Sequence, residues 1–335
     1  MIRVLAPAGV LLALSLLASL ALGSQTYGAA TVLAALTAPD PESYDHFVIT
    51  SQRLPRALIA LYTGALMAMG GAVLQALSRN PLASPQMLGI NAGAALFVVL
   101  GAVFFELPRA GSGALALVGG LAGFAGCLAL ARLASVSTNP RGLGLILSGA
   151  ILSMLLSGAA NALLLADPNL RSEFLNWLSG NINHVYADRL ADLWWLGVGA
   201  GIVLLILARP LTLVSLGRDT AAAAGVAIWP VTLCGVAAVV IGASSAVAIC
   251  GPVGFVGLVV PHMLRPFTGN MLTRLLPACA CVGAGLCLWA DIAARLAFRP
   301  FVLNTGVMMD LLGGIAFVWI VRRHYFTPRR AGAGA

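Results

Sequence analysis

Apolar runs long enough to cross a bilayer recur from one end of this 335-residue chain to the other, separated by short loops rich in Gly, Pro and Arg. A helix spanning hydrocarbon needs about 17–25 mostly apolar residues, because each residue advances the chain by only about 1.5 Å. The runs fall at Val4–Leu22, Ala57–Leu77, Ala92–Phe105, Ala114–Leu133, Leu143–Ala166, Leu193–Ala208, Val231–Ile249, Val253–Leu264, Leu275–Leu296 and Val302–Val321. Only 9% of residues are charged and 60% are hydrophobic, so no soluble domain fits between the runs. The expected fold is an all-α polytopic membrane protein of about ten transmembrane helices, with residues 1–335 forming a single membrane domain.

The third, sixth and eighth runs are short, and the eighth is flanked by Gly251-Pro252 and broken by Pro261. Interrupted helices survive at membrane depth only where protein or a water-filled cavity covers them. Small-residue stretches such as "GALMAMGGAVLQA" and "GGLAGFAGCLALA" predict close helix packing. The first run has the outline of a signal peptide, with Arg3 before it and "ASLALGS" at its end, but it is long for one and reads as a retained span.

Loop charge sets the orientation. The chain has 19 Arg and no Lys. With ten spans and the N-terminus inside, the cytoplasmic side holds Arg3, Arg79, Arg132, Arg141, Arg209, Arg218, Arg265, Arg274, Arg322, Arg323, Arg329 and Arg330, twelve of the nineteen. Of the acidic loop residues only Asp219 falls on that side. This bias obeys the positive-inside rule and places both termini in the cytoplasm. The net charge of +8 therefore reflects topology, with membrane lipid as the surrounding partner and no argument for nucleic acid.

Several chemistries are excluded. A Walker A loop and a pyridoxal Schiff base both require lysine, so this chain does not hydrolyse ATP by a P-loop mechanism. The six cysteines lie in or beside apolar runs and read as small buried hydrophobes. The pair at Cys279 and Cys281 lacks metal-site spacing and has no nearby histidine. No bound cofactor or metal is expected, and no convergent nucleophile and base marks an enzyme.

The stretch "RLPRALIALYTGALMAMGGAVLQALSRNPLASPQMLGINAGAAL" (53–96) resembles the signature of the iron-siderophore, haem and cobalamin importer permeases, the ten-helix membrane subunits of type II ABC importers. The likeness continues in order through "FLNWLSGNI" (174–182), "SLGRDTAAAAGV" (215–226), "GPVGFVGLVVPHMLR" (251–265), "WADIAARLAF" (289–298) and "GGIAFVWIVRR" (313–323). It implies a permease for a ferric siderophore or related iron chelate in the bacterial inner membrane, with haem or cobalamin as the alternative cargo and a secondary transporter as a less favoured one. The implied partners are a second copy or a sister permease, two ATPase subunits that use ATP and magnesium, and a periplasmic or lipid-anchored binding protein.

Site residues follow on both sides. Leu54 precedes a proline and is biased to extended geometry, while Pro55 suits a first helical position, so the second span is expected to start there. Arg56 then sits in a first turn, where positive charge opposes the helix dipole, and helix stability does not account for it. Lipid phosphate is the generic partner. The resemblance assigns Arg53, Arg56 and Arg295 to docking of the binding protein, although Asp291, four residues before Arg295, competes for it. On the inner side, the composition of "SLGRDTAAAAGV" makes a short helix. The resemblance gives Ser215, Leu216, Gly217, Arg218, Asp219, Ala221 and Gly225 to ATPase coupling. Asn139, Gly142 and Leu143 occupy the place of a cytoplasmic gate. Asp310, seven residues past Leu303, lies roughly 10 Å into the last span. Similar proteins carry a small or hydroxyl residue near there. Its expected role is pairing with Arg295 or Arg299, and an unpaired carboxylate there would instead be a functional-site candidate.

Overall fold

The computed structural model describes residues 2–105, 112–133, 143–166, 174–175, 177–298 and 301–325, and these contain helices and connecting turns with no strand. Helix α1 is Ile2–Ala21, and a short α2, Ala29–Thr37, follows it. Helix α3, Tyr44–Phe47, opens with the Ser43 hydroxyl accepting the His46 backbone N–H. It runs directly into a π-helical turn, Val48–Arg53, and then into α4, Leu54–Ser78.

The span does not start at Pro55: helical backbone runs unbroken over Tyr44–Ser78, so Leu54 is not extended and Arg56 is not in a first turn. The Leu54 φ of −64° and ψ of −50° are right-handed helical, and its N–H bonds the Ile49 carbonyl five residues back. A proline inside an α-helix has no N–H and its ring strikes the carbonyl four residues earlier. The wider π turn carries those carbonyls past the ring, so the helix passes through without a break.

A 3-10 turn, Pro85–Leu88, leads into α5, Ile90–Phe105, and α6, Ser112–Leu133, and α7, Leu143–Ala166, follow. Helix α8, Ala187–Ile206, begins six residues before the expected Leu193 and is not short. The charges at Asp188, Arg189 and Asp192 hid its first turns from a hydropathy reading. Arg189 is buried, and its guanidinium donates to the Ala248 carbonyl at 3.3 Å and to the Ser112 hydroxyl.

Helices α9, Ala208–Leu216, and α10, Arg218–Ala223, connect α8 to α11, Ile228–Cys250. Non-helical backbone over Gly251–Phe255 separates α11 from α12, Val256–Thr268, which holds Pro261 and Pro266. At 13 residues α12 is a half-span, as its flanking Gly-Pro predicts. Helices α13, Leu272–Leu296, and α14, Thr305–Tyr325, complete the chain.

Six helical segments among the described residues are long and apolar enough to cross a membrane, and α1, α5 and α14 contain shorter apolar helices. With the broken α12 they match the ten expected spans. Helices α4, α11 and α13 are buried over most of their apolar length, whereas α6, α7 and α8 bury less than a third of theirs. Contact between glycines builds that core. A Cβ on Gly64 would strike the Gly283 backbone on α13, and one on Gly71 would strike Gly257 on α12. With the side chains absent, helix backbones approach closely and gain dispersion contacts, the usual source of helix association in lipid. Cys127, Cys250, Cys279 and Cys287 are buried as expected, but Cys234 is exposed on α11.

Candidate functional site

The arginines of "RLPR" enter the fold differently. Arg53, on the π turn, is buried, and its Nη1 donates to the carbonyls of Leu20 at 2.7 Å and Ala21 at 2.8 Å, while Nη2 donates to the Gln25 carbonyl at 2.6 Å. It thereby satisfies carbonyls at the C-terminus of α1, where a cation also complements the helix dipole. The guanidinium lies 4.4 Å from the centre of the Tyr27 ring. Burial and the Asp45 charge hold the Tyr27 phenol above its ordinary range, so it stays neutral at physiological pH.

Arg56 reaches across to α13. Its Nε donates to Asp291 Oδ1 at 2.7 Å, and Arg295 Nε stands 3.0 Å from Asp291 Oδ2. The Thr305 hydroxyl at the head of α14 donates to the same Oδ1 at 3.0 Å. Arg295 is further held by the carbonyls of Leu22 and Ser19. Asp291 is thus a buried hub that joins α4, α13 and α14, with α1 attached through Arg295. The sequence anticipates the Asp291–Arg295 pair at helical spacing. It gave no signal for Arg56–Asp291, 235 positions apart.

All three arginines line one cavity of about 610 Å³, together with Ser24, Gln52 and His184. Arg56 and Arg295 share the Asp291 carboxylate, which is not itself in the lining, and Arg56 Nη2 is buried with no hydrogen-bond partner. The charged side chains in its lining are the three arginines.

Asp310 is not paired with Arg295, whose carboxylate partner is Asp291. Thr305 directs one face of α14 toward Asp291, and Asp310, five residues later, lies about 140° around the helix from it. It faces a different cavity. Arg299, the other expected partner, lies outside the described residues.

At the other end of α4, the segment 215–226 forms the expected short helix. Gly217 turns the chain at φ 150°, and α10 carries Asp219 in its first turn, where a carboxylate is favoured by the dipole. Val226 N–H bonds the Ala221 carbonyl, Gly225 N–H bonds Ala222, and Gly225 takes a φ of 73°. That pattern is a Schellman closure, which needs a left-handed residue and so places glycine there. Ala221 is fully buried, while Leu216, at the end of α9, is exposed. The Ser215 hydroxyl donates to the Thr212 carbonyl at 2.7 Å, and the Thr212 hydroxyl accepts Leu272 N–H at 3.0 Å, tying α9 to α13. Beside α9 a cavity of about 240 Å³ is lined by Arg79, Arg265 and Ser215. Of the gate residues, Asn139 and Gly142 lie outside the described residues, and Leu143 is the first residue of α7.

A sequence model of the FecCD transport family matches residues 11–323. The Fe(3+) dicitrate transport system permease protein FecD of Escherichia coli is 36% identical over 291 residues, covering 83% of this chain and 86% of that protein. The hemin transport system permease protein HmuU of Yersinia pestis is 37% identical over 322 residues, covering 92% and 94%. A solved ABC transporter chain of the metal-chelate type, in an inward-facing conformation, superposes with a TM-score of 0.79 at 30% identity, covering 96% of this chain and 100% of that one. The chain is a multi-pass membrane protein and belongs to the FecCD transport family.

Proposed function

We propose that this chain is the membrane-spanning permease subunit of an ATP-driven importer, moving a ferric siderophore or a related iron chelate across the bacterial inner membrane. The observation that carries the reading is the continuity of the family match over residues 11–323, with permeases for ferric citrate and other iron chelates among the relatives. HmuU, a haemin permease that matches over most of both chains, supports haem as the second candidate cargo.

In this reading the chain works as a pair, with itself or a sister permease. Two ATPase subunits below supply ATP hydrolysis with magnesium, and a soluble or lipid-anchored binding protein delivers the chelate from outside. Both termini are cytoplasmic. The positive cavity at Arg53, Arg56 and Arg295 receives a carboxylate of the binding protein. Because Arg53 is committed to carbonyls and Arg295 to Asp291, the buried Nη2 of Arg56 is the group with a bond still to make. Helix α10, with Ser215, Leu216, Gly217, Arg218, Asp219, Ala221 and Gly225, docks on the ATPase, and the 139–143 segment serves as the gate.

The test is purification with the ATPase and a panel of binding-protein–ligand complexes, scored by ligand-stimulated ATP hydrolysis. A ferric chelate on its binding protein should stimulate hydrolysis where the empty binding protein does not. Stimulation by a ligand without iron, and by no iron chelate or haem, would overturn the reading.

A further inference from the structure

The Asp310 side chain opens into a cavity of about 540 Å³ that also borders Gln86, Asn91, Ser179, Gly254 and Val307. Asp310 is exposed on the surface of the single chain, and among the described residues it forms no hydrogen bond or ion pair. It lies in a membrane-spanning helix, where an ionised group is tolerated only against the bundle interior or a water-filled cavity. The backbone on one side, Gly251–Phe255, is non-helical, and the Pro85–Leu88 turn lies on the other. Irregular backbone at membrane depth carries the same requirement. A cavity of this size lined by Gln86, Asn91, Ser179 and Asp310 has both the room and the polar partners to hold water.

Its chemistry is one-sided. Gln86 Oε1 accepts the Phe255 N–H, and Asn91 Oδ1 is buried with no partner. An ideal Cβ on Gly254 would stand 2.5 Å from Asp310 Oδ1 and 2.7 Å from Gln86 Oε1, so this glycine lets the two oxygens approach. No basic residue lines the cavity among the described residues. It therefore presents oxygen acceptors and one carboxylate, the reverse of the arginine-lined cavity near the head of α4.

We propose that Asp310 makes this cavity a charge filter on the transport pathway, admitting ferric complexes of neutral or positive charge and opposing polyanionic ones. Three hydroxamates neutralise Fe(III), whereas three catecholates leave a trianion and citrate complexes are anionic. The filter thus selects the hydroxamate class. This step rests on the reading of the chain as an iron-chelate permease.

The local charge can be tested without any chelate. Val307 is three residues before Asp310 on the same helix face, lines the cavity and is exposed. In membrane vesicles, the thiol of Val307→Cys is reacted with a cationic trimethylammonium and an anionic sulfonate methanethiosulfonate of similar size. Rates are taken over those of the parent protein, in which Cys234 supplies the background. The cationic reagent should react faster, and Asp310→Asn should reduce that preference by about tenfold, the scale expected for one unit charge at short range in wet surroundings. An unchanged preference would overturn the filter.

The second arm measures ATP-driven uptake of a ferric tricatecholate and a ferric trihydroxamate by the full complex, each supplied on a cognate binding protein. Asp310→Asn should raise the tricatecholate-to-trihydroxamate ratio by about tenfold on the same electrostatic argument. Equal changes in both would overturn the selectivity. If the thiol preference shifts as expected but neither protein moves any iron chelate, the permease reading fails and the substrate class falls with it, leaving only a charged cavity.

Discussion

Asp291 shows why single residues in this protein do more than one job. It is almost fully buried, and the charge of two arginines and a threonine hydroxyl converge on it. Removing one member of a buried ionic cluster leaves uncompensated charge, which costs about 3–5 kcal/mol. Asp291→Ala should therefore lower the unfolding temperature of the purified protein sharply, while Thr305→Val, which loses one hydrogen bond, should cost only about 1 kcal/mol. Equal, small effects of the two would mean that the cluster is not the hub described. Arg56→Gln separates folding from docking, because Arg295 still neutralises Asp291 in that variant. It should fold and assemble, yet need about tenfold more loaded binding protein for half-maximal ATPase stimulation, the loss of about one charge-assisted contact. An unchanged requirement would remove Arg56 from the docking surface. The sequence marked Arg56 through a helix start at Pro55, which the unbroken helix over Tyr44–Ser78 removes. It could not name Asp291, because only the folded bundle brings α4 and α13 together.

At the scale of elements, α10 is the piece whose role depends most on what lies outside the chain. Its six residues are closed by a glycine in left-handed geometry and anchored by buried Ala221, which makes it a rigid body rather than a loop. Motion imposed on it has a route inward through α9, where Thr212 bonds the first residue of α13. Replacing Arg218 and Asp219 together with alanine should leave membrane insertion intact, since both side chains precede the buried anchor, but should reduce ATPase co-purification and chelate uptake in parallel. Normal uptake by that variant would detach α10 from coupling. The short helix was legible from its alanines, its glycine and its polar turn. The true start of α8 was not, because buried Arg189 carries a charge that hydropathy counts against a span, and its partners at Ala248 and Ser112 come from distant segments. Likewise α2 gave no signal, being too short to read as a span and too apolar to read as a loop.

Over the whole molecule, the pattern of spans and the broken α12 followed from run length and proline placement alone, and the close helix core followed from glycine spacing. Which helices form that core did not follow, since α4 and α7 are similarly apolar yet only α4 is buried. Opposite charge character in two cavities, arginine-rich near the head of α4 and carboxylate-bearing beside the broken α12, also appeared only once the helices were assembled. We propose that ATP hydrolysis in a partner drives chelate entry, with no gradient coupled through this chain. Radio-iron chelate uptake is measured in vesicles carrying the full complex, with ATP and a protonophore varied independently. Uptake should require ATP and be indifferent to the protonophore. Uptake that persists without ATP and collapses with the protonophore would contradict it.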